Sequence, residues 1–433
     1  MYLSIQKKFY ITLAVALAWL TVSVWLVRPW YHDLSQEIGV FLATYLIAFI
    51  AIIPGFMNAF ILTALLFDRR PQVRDIQSYP DITVLVPAYN EETSIIETVS
   101  SLLRQDYPGM IQIIIINDGS TDSTLHSMEV MQSNHSSIKL IDLPRNSGKS
   151  AALNAGLHAS TTDLIITVDA DCMIRLDGVK NLVGRYLSDP PNTRAVAGAI
   201  LIRNSRENWI TKAQEWDYFL GISATKRVQS LFQGILVAQG AFSLYHRQTV
   251  VDLGGWPNSV GEDIVLTWAM LAAGHRIGHA ENACAFTNCP NNLVQFIRQR
   301  QRWSRGMIEA FKAQPRILFK ARLSTVFIWW NTVFPCMDVA YTFGFIPGII
   351  LACFGNFLIV GPMTLALLPP AFVLNRIMYQ AGKKMFDSAQ MKVRSNNAGF
   401  LFYMIGYSLI LQPACVLGYI SEIFSFKKSW GTK

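Results

Sequence analysis

Leu164-Ile-Ile-Thr-Val-Asp-Ala-Asp171 decides how this chain is read. A short unbroken apolar run is the mark of a strand buried on both faces, and two carboxylates follow it at once, at i and i+2. The same texture recurs at 82–86, 111–116, 138–141 and 195–200, with segments such as 92–105 and 147–159 between them that read as helices. Strands alternating with helices predict a parallel α/β sheet, on which ligands sit beyond the carboxyl ends of the strands. The polar segments fall at those ends. Pro87-Ala-Tyr-Asn-Glu91 ends the first strand, Asn117-Asp-Gly-Ser-Thr-Asp122 the second and Asp169-Ala-Asp171 the fourth.

Composition places this sheet between membrane segments. Of 433 residues, 52% are hydrophobic and 15% charged, too oily for one soluble domain and too mixed for a pure membrane bundle. Residues 9–27 and 40–67 are almost uncharged, and each can cross a hydrocarbon core of ~30 Å. Lys7 and Lys8 precede the first run without a small-x-small cleavage site after it, so a retained anchor is expected rather than a removable signal. Lys7, Lys8, Arg69, Arg70 and Arg74 flank the pair, while the short loop between balances Arg28 with Asp33 and Glu37; the positive-inside rule then puts the central domain in the cytoplasm. The net charge of +8 lies at membrane borders and in one helix, with no basic stripe among exposed aromatics, so no nucleic-acid partner is expected. Cys284 and Cys289 lack the spacing and histidine partners of a zinc site, and all six cysteines read as reduced and structural.

The polar groups suggest a chemistry. Asp169 and Asp171 beyond a strand end can share a hard divalent cation with a diphosphate; the bland alternative is an acidic turn. Asn146-Ser-Gly-Lys-Ser150 is not a P-loop, because Leu143 stands where that motif needs glycine, yet Lys149 at a helix start can still meet a nucleotide's charge. Asp263 opens a helix expected at 264–273, where a carboxylate can take a proton from an attacking hydroxyl, with Glu262 as its tuner or a mere cap. Gln299, Arg302 and Trp303 fall at i, i+3 and i+4, so a guanidinium and a flat indole converge on one helix face. On that helix Leu293, Phe296, Ile297, Met307 and Phe311 read as an apolar stripe at the membrane interface, with Arg298 and Arg305 under lipid headgroups.

Val86-Pro-Ala-Tyr-Asn-Glu91, Asn117-Asp-Gly-Ser-Thr-Asp122, Asn146 to Asn154, Asp169-Ala-Asp171, Gly254-Gly-Trp256, Gly261-Glu-Asp263 and Gln299-Arg-Gln-Arg-Trp303 together resemble the family 2 inverting glycosyltransferases. More narrowly, they are similar to the membrane-embedded processive synthases of poly-N-acetylglucosamine, hyaluronan, chitin and cellulose. The resemblance spans residue 80 to about 312. It implies a GT-A domain with Ala88, Tyr89, Glu91 and Asp118 around uracil and ribose, Lys149 near the nucleotide, and Asp171, with Asp169, on Mg2+ or Mn2+. It also implies Asp263 as general base, Gln299, Arg302 and Trp303 at the pyrophosphate and acceptor, and Gly240 beside the acceptor sugar, where a side chain would obstruct the pocket. The family often has threonine where Gly261 stands, which predicts a looser backbone here.

After residue 326 the chain is apolar again, broken by Pro335, Pro347, Pro369, Pro370 and Pro413, with Asp338 and Asn375 as candidates for a lined passage or for helix packing. Ser429-Trp-Gly-Thr-Lys433 resembles the gating segment of hyaluronan synthases, which implies that Trp430 and Thr432 close over the donor. Apolar stretches at 326–354, 357–378 and 398–424 would leave this end outside, whereas the resemblance and Lys427, Lys428 and Lys433 want it inside, so six spans are expected. The expected architecture is an α/β GT-A glycosyltransferase domain inserted between N- and C-terminal transmembrane helices. Its parts are a hairpin (1–79), a catalytic domain (80–291), interface helices (292–325), a channel region (326–424) and a cytosolic tail (425–433). The expected function is processive polymerisation of a β-linked N-acetylhexosamine, foremost N-acetylglucosamine, from a UDP-sugar onto a growing polysaccharide at the inner membrane, with room for a small membrane or secretion partner. Hyaluronan, chitin-oligosaccharide or other β-glycan synthesis, a non-processive lipid-linked transfer, and a transporter with an inactive transferase-like domain are the alternatives.

Overall fold

The computed structural model describes residues 3–68, 73–361, 364, 368–388 and 390–426. Trp430 and Thr432 lie outside them. Among the described residues, eight strands form one sheet: β1 (Ile82–Ala88), β2 (Ile111–Asn117), β3 (Ile138–Asp142), β4 (Leu164–Val168), β5 (Met173–Ile174), β6 (Thr193–Ile202), β7 (Phe242–His246) and β8 (Arg276–Thr287). Their order across the sheet is β3-β2-β1-β4-β7-β6-β8-β5. The first four in that order run parallel, as expected. The wholly parallel reading is corrected beyond them, because β7 pairs antiparallel with both β4 and β6, and the sheet is mixed. Three strands escape a search for buried apolar runs, β5 because it is only two residues long and the others for plain reasons. Phe242-Ser-Leu-Tyr-His246 is short and interrupted by polar residues, and β8 carries His279, Glu281 and Asn282 along its length.

Register brings the polar segments level. Ala88 stands opposite Asn117, and Asn117 opposite Asp142, so the loops leaving β1, β2 and β3 emerge along one edge. Alternate residues of each strand feed opposite faces. Val84, Val86, Ile113 and Ile115 bury themselves in one apolar layer, while Leu85, Ile114 and Ile116 enter the other. That second layer continues without a break into the membrane-type helices through Met57, Phe60, Phe232, Phe327 and Trp330. Phe60 lies edge-on to Phe232, Phe327 and Trp330 at 5.2–6.0 Å between ring centres. Aromatic pairs at this separation add to plain area burial, so the sheet is anchored to both ends of the chain rather than tethered by linkers.

Among the described residues, three helices are long and apolar enough to cross a membrane: Ile5–Leu26, Val40–Leu66 and Thr325–Cys353. A fourth crossing is available if Asn397–Ile405 and Tyr407–Ile423, bent by 53°, count as one. Six were expected. Leu368–Ser388 does not qualify among the described residues, since it carries Arg376, Lys383, Lys384 and Asp387. Asp338 and Asn375 serve packing: Tyr419 donates to Asp338 at 2.7 Å, and Asn375 donates to the Ala371 carbonyl at 2.9 Å. Trp30 donates to the Leu358 carbonyl and Tyr45 to that of Cys336, both at 2.8 Å, tying the N-terminal hairpin to the later helices.

Candidate active site

The loops at the strand ends lock one another. Both carboxylate oxygens of Asp118 accept backbone N–H groups, from Ser147 at 2.8 Å and Gly148 at 2.9 Å, so this residue fixes the turn that launches the helix Lys149–Ala159. Burial pushes its carboxyl above the ordinary range, and the two N–H groups oppose that. Asn90 joins the first loop to the second by accepting the Thr121 N–H at 2.8 Å. Ala88 is buried, Tyr89 is exposed, and the Ser94 hydroxyl donates to Glu91 at 2.7 Å.

Lys149, thus placed, sits among carboxylates. It pairs with Asp169 and stands 3.5 Å from Glu262. Burial disfavours its charge, yet these two carboxylates push its amine well above the ordinary range. Asp171 accepts from the Thr287 hydroxyl at 3.3 Å; burial, then the charges of Asp169 and Glu91, push its carboxyl up to about 6. Gly240 packs against this lysine: a Cβ there would lie 2.7 Å from the Lys149 Nζ. The space it leaves is filled by an ammonium group, which gives this glycine a packing role in addition to its place at the pocket wall.

Glu262 and Asp263 open the helix Glu262–Ala272. Glu262 is buried and turned to Lys149, and burial, with the charge of Asp263 opposed by that of Lys149, pushes its carboxyl up to about 7. Asp263 accepts the Ile264 N–H at 2.8 Å and, on its other oxygen, the Gly240 N–H at 3.4 Å. It remains open to a cavity of about 680 Å³. The cavity gathers Glu91, Lys149, Asp169 and Asp171 from the strand ends, Gly240, Glu262 and Asp263 from the middle, and Gln299, Arg302 and Trp303 from the helix Leu293–Ala313. Ala88, Tyr89 and Asp118 lie outside its lining, beside the same sheet edge. Among the described residues no three His, Cys, Asp or Glu side chains come together as a metal cluster, so Asp169 and Asp171 remain a pair.

A model of glycosyl transferase family 2 matches residues 83–254. Residues 83–254 are a family 2 glycosyl transferase domain. An N-acetylglucosaminyltransferase of Azorhizobium caulinodans is 32% identical over 238 residues, covering 52% of this chain and 59% of that protein. A poly-beta-1,6-N-acetyl-D-glucosamine synthase of Staphylococcus aureus is 32% identical over 240 residues, covering 55% and 57%. The chain therefore spans less than two thirds of the length of these relatives. Its fold is similar to that of the mannosyltransferase PcManGT from Pyrobaculum calidifontis, solved in complex with GDP-Man and Mn2+, with a TM-score of 0.62 at 18% identity over 89% of this chain and 100% of that one.

Beyond the matched residues the cavity is completed by Leu293–Ala313, whose two faces do different work. Gln299, Arg302 and Trp303 face the cavity, as their spacing predicts. The opposite side corrects the membrane-interface reading. Phe296 and Met307 are buried within the protein, Phe296 against Tyr407. Arg305 is buried too and pairs with Glu422 at 2.8 Å, so it holds the last helix rather than lipid headgroups; Arg298 is exposed. The expected looseness at Gly261 is also corrected. A Cβ on Gly261 would lie 2.7 Å from the Gly306 Cα, so the two backbones touch, and Glu309 accepts the Gly261 N–H at 3.0 Å.

Two groups were given no role by the sequence reading. Arg300 is 5% exposed, pairs with Asp217 at 2.8 Å and lies 4.2 Å over the Trp303 ring, while Trp303 itself lines the cavity. Its spacing from Trp303 was the available signal. Lys226 lines the cavity from Thr225–Leu231, and nothing in its sequence context marks it.

Proposed function

We propose that this protein is a processive, inverting glycosyltransferase of a bacterial inner membrane that polymerises β-linked N-acetylglucosamine from UDP-N-acetylglucosamine, with the transferase domain on the cytoplasmic side. The observation that carries this reading is the single cavity in which a strand-end carboxylate pair, a helix-opening Asp263 and the Gln299, Arg302 and Trp303 face converge. The names of the two relatives support the sugar, and the mannosyltransferase's GDP-Man and Mn2+ support a nucleotide-sugar with a divalent ion. The apolar helices around the domain support a membrane setting.

In this mechanism Trp303 stacks the terminal sugar of the acceptor, with Arg300 fixing the indole. Asp263 takes the proton from the acceptor hydroxyl as its oxygen attacks the anomeric carbon of the donor and the bond to UDP breaks, which inverts the configuration. Arg302 meets the departing diphosphate, and Lys149 keeps Asp169 and Glu262 in place. The Asp169 and Asp171 oxygens are hard donors, and the upward push on Asp171 marks crowded negative charge that a cation relieves, so the pair fits a divalent ion. Such an ion, when bound, neutralises charge on the departing diphosphate.

The test uses purified full-length protein with UDP-N-acetylglucosamine. Asp263→Asn is expected to keep UDP affinity and lose about 10²-fold or more in turnover. Trp303→Ala is expected to shorten or abolish polymer on a sizing gel far more than it weakens UDP binding. Near-normal turnover of Asp263→Asn removes the base assignment. Release of only mono- or disaccharide products by the unmodified protein removes processivity and favours the lipid-linked single transfer.

A further inference from the structure

Lys226 is 9% exposed on the cavity wall, and its hydrogen-bond partner is the neutral carboxamide oxygen of Gln239. Lys149, by contrast, sits between two carboxylates. Burying an ammonium group against a neutral partner is costly unless a negative charge answers it nearby. Burial pushes this amine down to about 7, and the charge that opposes the push is that of Asp263.

The contacts lead to the same residue. Gln239, having accepted from Lys226, donates its Nε2 to the Gly198 carbonyl at 2.7 Å and to that of Phe242 at 3.3 Å, so it spans β6 and β7. The next peptide N–H, that of Gly240, reaches Asp263 at 3.4 Å. The charged or titratable groups around Asp263 are Lys226 from Thr225–Leu231, Lys149 from Lys149–Ala159, Glu262 beside it and Tyr245 from β7. Lys149 also feels the charge of Asp263 but is ion-paired with Asp169 and stands near Glu262, whereas Asp263 is the charge that opposes the burial of Lys226.

We propose that Lys226 is a positioning residue for Asp263: through Gln239 it fixes the backbone that holds this carboxylate, and its charge keeps the carboxylate ionised while an acceptor sugar expels water from the cavity. The inference rests on Asp263 as the base of the proposed reaction. A carboxylate stripped of water takes up a proton more readily, and a neighbouring cation reverses that tendency. The amine is charged below about pH 7.

Full-length protein in detergent or nanodiscs, with UDP release from UDP-N-acetylglucosamine followed against pH, tests this. Lys226→Met is expected to lower kcat about 10-fold and to move the acid limb of the profile up by about one pH unit. KM for the donor stays within about twofold, since no ground-state donor contact is lost. Lys226→Arg is expected to keep the acid limb of the unmodified protein. An acid limb that stays put in Lys226→Met while UDP still binds overturns the inference, as does a Lys226→Arg profile displaced as far as that of Lys226→Met. Should Lys226→Met lose UDP binding, Lys226→Gln is read in its place by the same criteria. Asp263→Asn run alongside separates the two levels: its full activity defeats the base assignment itself, whereas an inactive Asp263→Asn with an unmoved limb in the Lys226 variant defeats only the role of Lys226.

Discussion

On the sheet side of the cavity, Asp118 grips the Ser147 and Gly148 backbone and Asn90 grips Thr121, partners supplied by neighbouring loops of one layer. On the helix side, Arg300 reaches Asp217, Arg305 reaches Glu422, and Glu309 reaches the Gly261 backbone, partners drawn from elements scattered along the chain. The sheet side is therefore shaped by turns between neighbouring strands, and the helix side by contacts that run from Leu293–Ala313 back to Asp217 and Gly261 and forward to Glu422. A cavity built this way has one wall that the strand-end loops make for themselves and one borrowed by a docking helix from distant parts of the chain.

Chelation sharpens that contrast most. Excess EDTA is expected to abolish UDP release while leaving the thermal midpoint of the detergent-solubilised protein nearly unchanged, because Asp169 is already paired with Lys149 without an ion. Unimpaired synthesis in EDTA would remove the ion from the proposed reaction. Arg300→Met attacks the borrowed wall. It leaves Asp217 buried without its cation and is expected to cost about 3–5 kcal/mol of stability, read as denaturant or thermal unfolding, and to loosen Trp303 as well. Asp118→Asn attacks the other wall, weakening two charge-assisted bonds for about 1.5–3 kcal/mol, with UDP affinity expected to fall alongside. If Asp118→Asn proves the more damaging to folding, the self-built wall is the weaker one and the contrast is inverted. The smallest effect is expected from Gly306→Ala, whose added Cβ meets the Gly261 Cα at 2.8 Å and costs about 1–3 kcal/mol. Its signature is a loss of turnover at nearly intact UDP affinity.

Legibility in the sequence follows the same division. The strands at 82–86, 111–116, 138–141, 164–168 and 195–200 are found because short buried apolar runs carry a local signal, and Asp169 and Asp171 come with the fourth of them. β7 and β8 are missed because polar residues interrupt their apolar runs although most of both strands is buried, so burial is decided by what packs there and not by their own composition. Gln299, Arg302 and Trp303 are legible from helical spacing alone. Arg305 is not, since a lipid-facing arginine and one buried against Glu422 look alike until the last helix is in place. Lys226 is the extreme case: its neighbours in the sequence say nothing of Gln239 or Asp263.

The meeting of Gly261 with Gly306 bears on how finely the two halves of the proposed reaction are matched. Side chains change rotamer and long ones drift by ångströms, but here the turn before Asp263 and the helix turn after Trp303 rest main chain on main chain. The gap between the carboxylate that receives a proton and the indole that grips the sugar is thereby calibrated by the backbone, with little tolerance at the seam itself. A longer or bulkier acceptor unit could be admitted by remodelling the far end of the cavity, whereas a different offset between grip and proton transfer would require these two backbones to part.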